Sequence, residues 1–122
     1  MTIGNNVTVE GSFGVTDISS SFTYDSDFSS WFTLRAWHFN GFVFVTFGAY
    51  RAASGMSASE EIVLNIANPY RPGTIHYAPT IAYEGDRATY VAFNTDGTVK
   101  ALHPTNLGDS NWYVVVNAFY KT

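Results

Sequence analysis

The chain of 122 residues is long enough for one domain with its own core, and only 13% of its residues are charged, against roughly 25% in ordinary soluble domains. The net charge is −4 with only six Lys and Arg, which argues against a nucleic-acid partner. The absence of cysteine excludes disulfides and thiolate chemistry, and no run of residues has the apolar length of a membrane span, so no membrane partner is expected.

Aromatic residues make up 17% of the chain. A small domain with many rings and few charges is expected to bury part of its outside, most simply against copies of itself. Residues 1–15 set single apolar side chains between Gly and Asn, which gives strands too short to form a core, and they lack the features of a signal peptide. We therefore expect a linker over residues 1–15 and one domain over residues 16–122.

The chain then enters a segment rich in Ser, Asp and Thr, residues 17–30, which is typical of a loop around one short extended piece at Phe22-Thr23-Tyr24. The dipeptide Asn40-Gly41 predicts a hairpin between residues 31–39 and 42–50. The second of these strands is apolar on both sides, whereas an antiparallel sheet normally leaves one face wet. We expect one face to cover the core and the other to meet a neighbouring subunit.

After a polar loop, residues 62–66 are short and β-branched and precede Pro69, which favours a strand, although Ser57 and Glu60 have the spacing of a helix capping box. Two prolines and a glycine in residues 69–73 then forbid a helix. Residues 74–83 alternate in character, which predicts a strand with one packed face. Pro79 cannot donate to a ladder, so it is expected at an edge or a bulge.

A second hairpin follows, with the three-residue loop Thr95-Asp96-Gly97. Pairing Phe93 with Val99 and Val91 with Ala101 puts all four apolar side chains on one face. The glycine then occupies the left-handed position that such loops require. A two-residue turn would split the apolar face.

After a loop at residues 103–111, residues 112–120 form a last apolar strand. The chain therefore has roughly eight strands, turn signals every 8–12 residues and no helix of note. This pattern predicts an all-β domain, an antiparallel β-sandwich of jelly-roll-like form. Trp31 and Trp112 each open an apolar strand, which favours a core position for both, while Trp37 is as compatible with the surface as with the core.

The turns and core strands of the chain include Asn40-Gly41, Tyr70-Arg71-Pro72, Thr95-Asp96-Gly97-Thr98-Val99 and the strand from Tyr113 to Tyr120. In these features the chain resembles the C-terminal head domain of receptor-binding proteins of tailed phages, especially those of phages of Gram-positive bacteria. The resemblance covers about residues 31–122, and residues 1–15 are similar to the last turns of the fibre shaft that precedes such heads.

The resemblance implies a homotrimer at the virion tail tip, assembled in the host cytoplasm. Its partners would be upstream fibre or baseplate proteins and a host cell-surface saccharide. No receptor-contacting motif of the family can be matched here. The main alternative is a structural knob that caps and registers a trimeric fibre without touching a receptor.

No enzyme activity, cofactor or metal is expected. Asp25 and Asp27 are close in sequence but lie in a Ser-rich loop, and His38, His76 and His103 lack metal-ligand spacing. A polysaccharide depolymerase is a third interpretation, which requires two carboxylates facing each other.

Saccharide binding needs an exposed aromatic face with polar groups beside it. Residues 31–50 carry the densest aromatic content and lead into a polar loop, residues 52–59, of the kind that often carries binding groups. In a trimer this loop can approach a loop of the neighbour. The sequence therefore predicts a shallow inter-subunit saccharide site formed by six residues, Trp37, His38, Tyr50, Arg51, Asp86 and Arg87.

Overall fold

The computed structural model describes residues 14–51, 59–81, 90–103 and 112–122. These residues form nine strands and one 3-10 helix, Ser19–Ser21. The strands are β1 (Thr16–Asp17), β2 (Phe22–Tyr24), β3 (Ser29–Phe39), β4 (Phe42–Arg51), β5 (Ser59–Ile66), β6 (His76–Ile81), β7 (Tyr90–Phe93), β8 (Thr98–His103) and β9 (Trp112–Lys121). All pairings are antiparallel, in the order β1-β3-β4-β9-β6-β7-β8-β5-β2. The all-β prediction is confirmed, including the strands expected at residues 22–24 and 62–66.

Strand β6 joins the two halves of this sheet. Its residues 76–79 pair with β7, whereas Thr80 and Ile81 pair with β9. Pro79 lies at the change of partner, where a residue without an N–H disturbs the ladder least. Here the sheet curls, so that β1, β3, β4 and β9 form a first layer and β7, β8, β5 and β2 form a second.

The core lies between the two layers and consists of side chains that alternate along each strand. On β4, Val43, Val45 and Phe47 are fully buried. Tyr24 on β2 reaches across from the other layer, with its ring 6.4 Å from that of Phe47 and its hydroxyl donating to the Gly48 carbonyl at 3.2 Å. Burial raises the pKa of Tyr24, which keeps this donor protonated. The result is a sandwich-like fold.

Both predicted hairpin turns are confirmed in detail. At the β3–β4 turn, Asn40 and Gly41 have φ angles of 51° and 80°, and Phe39 pairs with Phe42. These left-handed angles match the right-handed twist of the flanking strands.

The β7–β8 turn has the predicted three-residue loop, because Phe93 pairs with Val99 and Val91 with Ala101. Gly97 has a φ of 92°, and its N–H donates to the Asn94 carbonyl at 3.0 Å. A β-carbon there would lie 2.5 Å from the Ile66 carbonyl oxygen and from Arg71 Nε. Glycine is therefore required both by the backbone angle and by the lack of space.

The expectation that Trp31 lies in the core is wrong. Trp112 is fully buried, but Trp31 is 40% exposed. Strand β3 has register irregularities between Ser30 and Phe32 and between Phe32 and Arg35. These irregularities re-aim the side chains in the first half of the strand, as β-bulges do.

Strand β6 alternates as predicted, but its packed face carries the smaller residues. Ala78 is buried and His76 is half-buried, with its ring 6.1 Å from that of Phe93. Ile75 and Tyr77 face outward and are 49% and 62% exposed. Residues 1–13 lie outside the described residues, so the boundary at residue 15 remains a prediction.

Candidate functional site

Trp37 and His38 are neighbours on β3 and therefore point to opposite faces of the sheet. Trp37 faces outward, with its ring 5.8 Å from that of Phe44 on β4. His38 faces the inner side, with its ring 5.3 Å from that of Tyr70. The two residues do not present a common surface to a ligand.

Tyr50 and Arg51 at the end of β4 are divided in the same way. The Tyr50 ring lies 5.2 Å from that of Tyr113 on the outer face. Arg51 turns inward, where its Nη1 lies 3.2 Å from Glu61 Oε2 and 3.9 Å from Asp27 Oδ2. Its side chain is 18% exposed, and its guanidinium lies over the Phe28 ring. Arg51 therefore joins β4 of the first layer to β5 of the second.

The structure does not bring the two pairs together within one chain. Trp37 pairs with Phe44, and Tyr50 lies six residues further along β4, a separation of about 20 Å at roughly 3.4 Å per residue. Asp86 and Arg87 lie outside the described residues. The inter-subunit site that combines all six residues remains a prediction.

A concave surface lies instead on the outer side of the second layer. We call it the polar concavity. It has a volume of about 370 Å³ and is lined by residues of four strands, by the residue just before β6 and by the β7–β8 turn, namely Glu60, Ile75, Tyr77, Tyr90, Ala92, Asn94, Thr95, Asp96 and Lys100.

The strand register explains the shape of the polar concavity. Tyr77, Ala92 and Lys100 pair across β6, β7 and β8. The small Ala92 side chain forms a low floor between a tall ring on one side and a long ammonium side chain on the other. The Tyr77 ring, 5.8 Å from that of Tyr90 and nearly perpendicular to it, forms the wall.

The β7–β8 turn supplies a polar rim with fixed geometry. Asp96 Oδ1 accepts hydrogen bonds from the Thr98 N–H at 2.9 Å and from the Thr98 hydroxyl at 2.7 Å. The pKa of Asp96 lies below its ordinary value, chiefly because of the hydrogen bond from the Thr98 N–H. The hydrogen bond from the Thr98 hydroxyl and the nearby positive charge of Lys100 lower it further. Asn94 Nδ2 donates to the Thr98 hydroxyl at 3.1 Å. A carboxylate and an amide are thus held at the edge of an aromatic wall.

The outer side of the first layer is aromatic. At the β3–β4 turn its rings form the hairpin-end cluster, which comprises Trp37, Phe39, Phe42, Phe44 and Phe119. With Val15 and Asn40 these side chains line a shallow depression of about 400 Å³. Phe42 and Phe119 are stacked with ring centroids 5.1 Å apart. Phe39, Phe44 and Phe119 are 48%, 43% and 56% exposed.

A second group of rings, the far-end cluster, lies at the other end of the same face and comprises Trp31, Phe32, Tyr50 and Tyr113. Trp31 lies 4.7 Å from Tyr113 and 5.8 Å from Phe32 between ring centroids. The Phe32 ring lies directly on Gly48, where no side chain stands in its way. A hydrogen bond from the Thr46 hydroxyl to Asn117 Oδ1 lies between the two clusters.

The sequence interpretation missed Tyr77, Tyr90 and Lys100 as candidate binding residues. Part of the signal was present, because the hairpin register that pairs Val91 with Ala101 also places Ala92 opposite Lys100 on the outer face. The pairing of Tyr77 with Ala92 joins strands that no short turn connects. No sequence pattern in the chain indicates that pairing.

Comparison with models of known protein families finds no match, and a search of the curated proteins finds no similar one. Within the described ranges, no three His, Asp or Glu side chains form a group that could hold a metal ion. No helix in the same residues is long and apolar enough to cross a membrane.

Proposed function

We propose that the chain is the head domain of a phage receptor-binding protein, which attaches the virion to a saccharide on the host cell surface. The observation that carries this proposal is the polar concavity. A receptor head needs an exposed concave patch with at least one ring and two polar groups, whereas a structural knob needs none. The turn pattern of the chain, which resembles that of such heads, supports the same proposal.

The chemistry of the polar concavity suits a sugar ring. Tyr77 is 62% exposed and offers an aromatic face to the apolar side of a pyranose. Asn94, Asp96 and Lys100 lie around it and supply donors and acceptors for hydroxyl groups. The Asp96 carboxylate is already oriented by Thr98, so less ordering is needed when a ligand binds.

The charge of the polar concavity narrows the class of saccharide. Glu60 and Asp96 contribute two carboxylates against the single ammonium of Lys100, in a chain with a net charge of −4. Polymers rich in phosphate or uronate would be repelled. We therefore propose a neutral or amine-bearing saccharide, bound without catalysis by a homotrimer at the tail tip that is joined to upstream fibre or baseplate proteins.

The second candidate function is the structural knob. The aromatic outer side of the first layer favours it, because exposed rings of that number serve assembly rather than recognition of hydroxyl groups. The two functions share a fold, and saccharide binding separates them.

A glycan array probed with the soluble chain tests the proposal. Because a shallow wet site binds weakly, the chain is displayed in multiple copies so that avidity raises the signal. We expect binding to neutral or amine-bearing glycans, and about a tenfold loss of affinity in Tyr77→Ala, which corresponds to roughly 1.4 kcal/mol.

The matched control is Trp37→Ala, which removes a larger ring from the opposite layer and should leave binding unchanged. Loss of binding in Trp37→Ala but not in Tyr77→Ala would instead favour the site predicted from the sequence. An array without any bound glycan would favour the knob. Release of reducing ends from a bound polymer would favour a depolymerase.

A further inference from the structure

We propose that the outer face of β3, β4 and β9 is the surface on which a second copy of this chain docks. This inference names the face that would assemble the proposed homotrimer, so it rests on that part of the proposed function. It does not depend on saccharide binding, because the residues that carry it lie on the opposite layer. The face holds the hairpin-end cluster at one end and the far-end cluster at the other.

The exposed apolar area is large for so small a domain. Five rings on this face (Trp31, Phe32, Phe39, Phe44 and Phe119) are each 40–56% exposed. At about 200 Å² per aromatic side chain they leave roughly 450 Å² open to solvent. A stable interface buries about 800 Å² per partner, so these rings alone supply more than half of that area. The area is divided between the two clusters, with the Thr46–Asn117 hydrogen bond between them, and exposed apolar patches of a few hundred Å² commonly mark interaction sites.

The charges around the hairpin-end cluster indicate that the partner is another copy. Asp17 on β1 pairs with Trp37 and marks one side of the cluster, and Lys121 on β9 pairs with Phe42 and marks the other. The two charges are separated by about three strand spacings of 4.8 Å and by two residues along the strands. Arg35 of the same chain also acts on Asp17, so a neighbour's Lys121 would add to a cation that this carboxylate already has. A surface with a carboxylate on one side and an ammonium on the other is complementary to itself.

The opposite charges of Asp17 and Lys121 can meet in a cyclic assembly whose axis runs parallel to these strands. It brings the β1 side of one copy against the β9 side of the next, so Asp17 approaches Lys121 of the neighbour while the rings meet near the axis. Arg35 on β3 and Asn117 on β9 both pair with Thr46, so they lie at the same level along the strands. In the cyclic assembly the Arg35 guanidinium of one copy therefore faces the Asn117 amide of the next copy and not another cation. Within each copy, Asn117 Oδ1 already accepts a hydrogen bond from the Thr46 hydroxyl.

Sedimentation velocity over a range of concentrations tests the inference. We expect the wild-type chain to assemble at micromolar concentration, and the double variant Phe44→Thr/Phe119→Thr to associate at least 100-fold more weakly. Threonine suits an exposed strand position, so this variant should keep the fold, which circular dichroism checks. Tyr77→Thr is the matched control on the other layer and should assemble like the wild type.

Lys121→Glu gives a second test that leaves every ring in place. It puts a carboxylate where Asp17 of the neighbour approaches, so we expect association to weaken about threefold or more, with the difference reduced in high salt. A wild-type chain that stays monomeric at about 100 μM, or a double variant that assembles like the wild type, would overturn the inference. Saccharide binding is measured for both variants, so that a failure of self-association can be told apart from a failure of saccharide binding. Tyr77→Thr should lose binding, and the double variant should retain it.

Discussion

The two outer faces of the sandwich are built from the same strand pattern and differ in what the pattern places side by side. Across the first layer, Trp37, Phe44 and Phe119 form one row of rings. Across the second layer, the equivalent row is Tyr77, Ala92 and Lys100. A row of three rings makes a broad apolar surface suited to another protein surface. A ring, a small residue and an ammonium group make a depression with mixed chemistry, which suits a small polar ligand.

The comparison also separates exposed rings from buried ones within a single strand. Phe47 on β4 is fully buried between the layers, and Phe44, three residues earlier, is 43% exposed on the aromatic face. Phe47→Ala should lower the free energy of unfolding by about 3–5 kcal/mol, because it removes contacts and leaves a cavity. Phe44→Ala, studied below the concentration at which the chain associates, should cost about 1 kcal/mol or less. Denaturant unfolding measures both, and equal losses would contradict the assignment of the two faces.

The turns that support the two faces differ in how strictly they need glycine. Gly41 and Gly97 both have positive φ angles, but a β-carbon at Gly41 meets no atom within 4 Å, whereas one at Gly97 meets Ile66 and Arg71. Gly41→Ala should therefore cost about 1 kcal/mol from backbone strain alone. Gly97→Ala should cost roughly 3 kcal/mol or more, because strain and a steric clash add. Thermal unfolding of the pair tests this, and a similar loss in both variants would show that the neighbours of Gly97 move aside.

The sequence predicted the elements whose structure is decided locally. Asn40-Gly41 and the loop ending in Gly97 fix their hairpins through backbone angles, and the register of β7 and β8 follows from keeping four apolar side chains on one face. The burial of Trp31 was predicted wrongly. Side chains alternate between buried and exposed faces only along a regular strand, and β3 has register irregularities beside Trp31.

The candidate site was harder to predict, because it depends on which face of each strand turns inward. The alternation of Val43, Val45 and Phe47 places Arg51 on the buried side of β4, where it pairs with Glu61. The sequence shows that Arg51 shares a face with these three residues, but both faces of this strand are apolar, so it does not show which of them packs. The position of Tyr77 was not readable either, since period two shows that a strand has two faces without showing which of them packs.

The smallest expected effect concerns two carboxylates in matching local structures, one beside each face. Hydrogen bonds from the Ser19 hydroxyl and N–H lower the pKa of Asp17, and hydrogen bonds from the Thr98 N–H and hydroxyl lower that of Asp96. A depressed folded-state pKa gives stability that is present above the unfolded value, near 3.8, and is lost as the pH falls through the folded value. In Asp17→Asn and in Asp96→Asn, the free energy of unfolding should therefore fall slightly less than in the wild type as the pH drops below 3.8.

Saccharide binding by the wild-type chain should accordingly be unchanged between about pH 7 and pH 5, because the Asp96 carboxylate stays ionised there. Unfolding curves at a series of pH values check the acid stability of the two Asp→Asn variants. Saccharide binding measured over the same series checks that binding does not depend on pH. A midpoint in binding within that interval would show that another group controls the ligand.

The separation of the two faces is tested most directly by nuclear magnetic resonance of the ¹⁵N-labelled chain, titrated with the glycan that binds best on the array. The expected result is a set of shift changes centred on Tyr77, Ala92, Asn94 and Lys100, with the Trp37 indole signal unchanged. Shift changes centred on Trp37, Phe44 and Phe119, with the residues of the polar concavity unaffected, would contradict the assignment of ligand binding to the second layer.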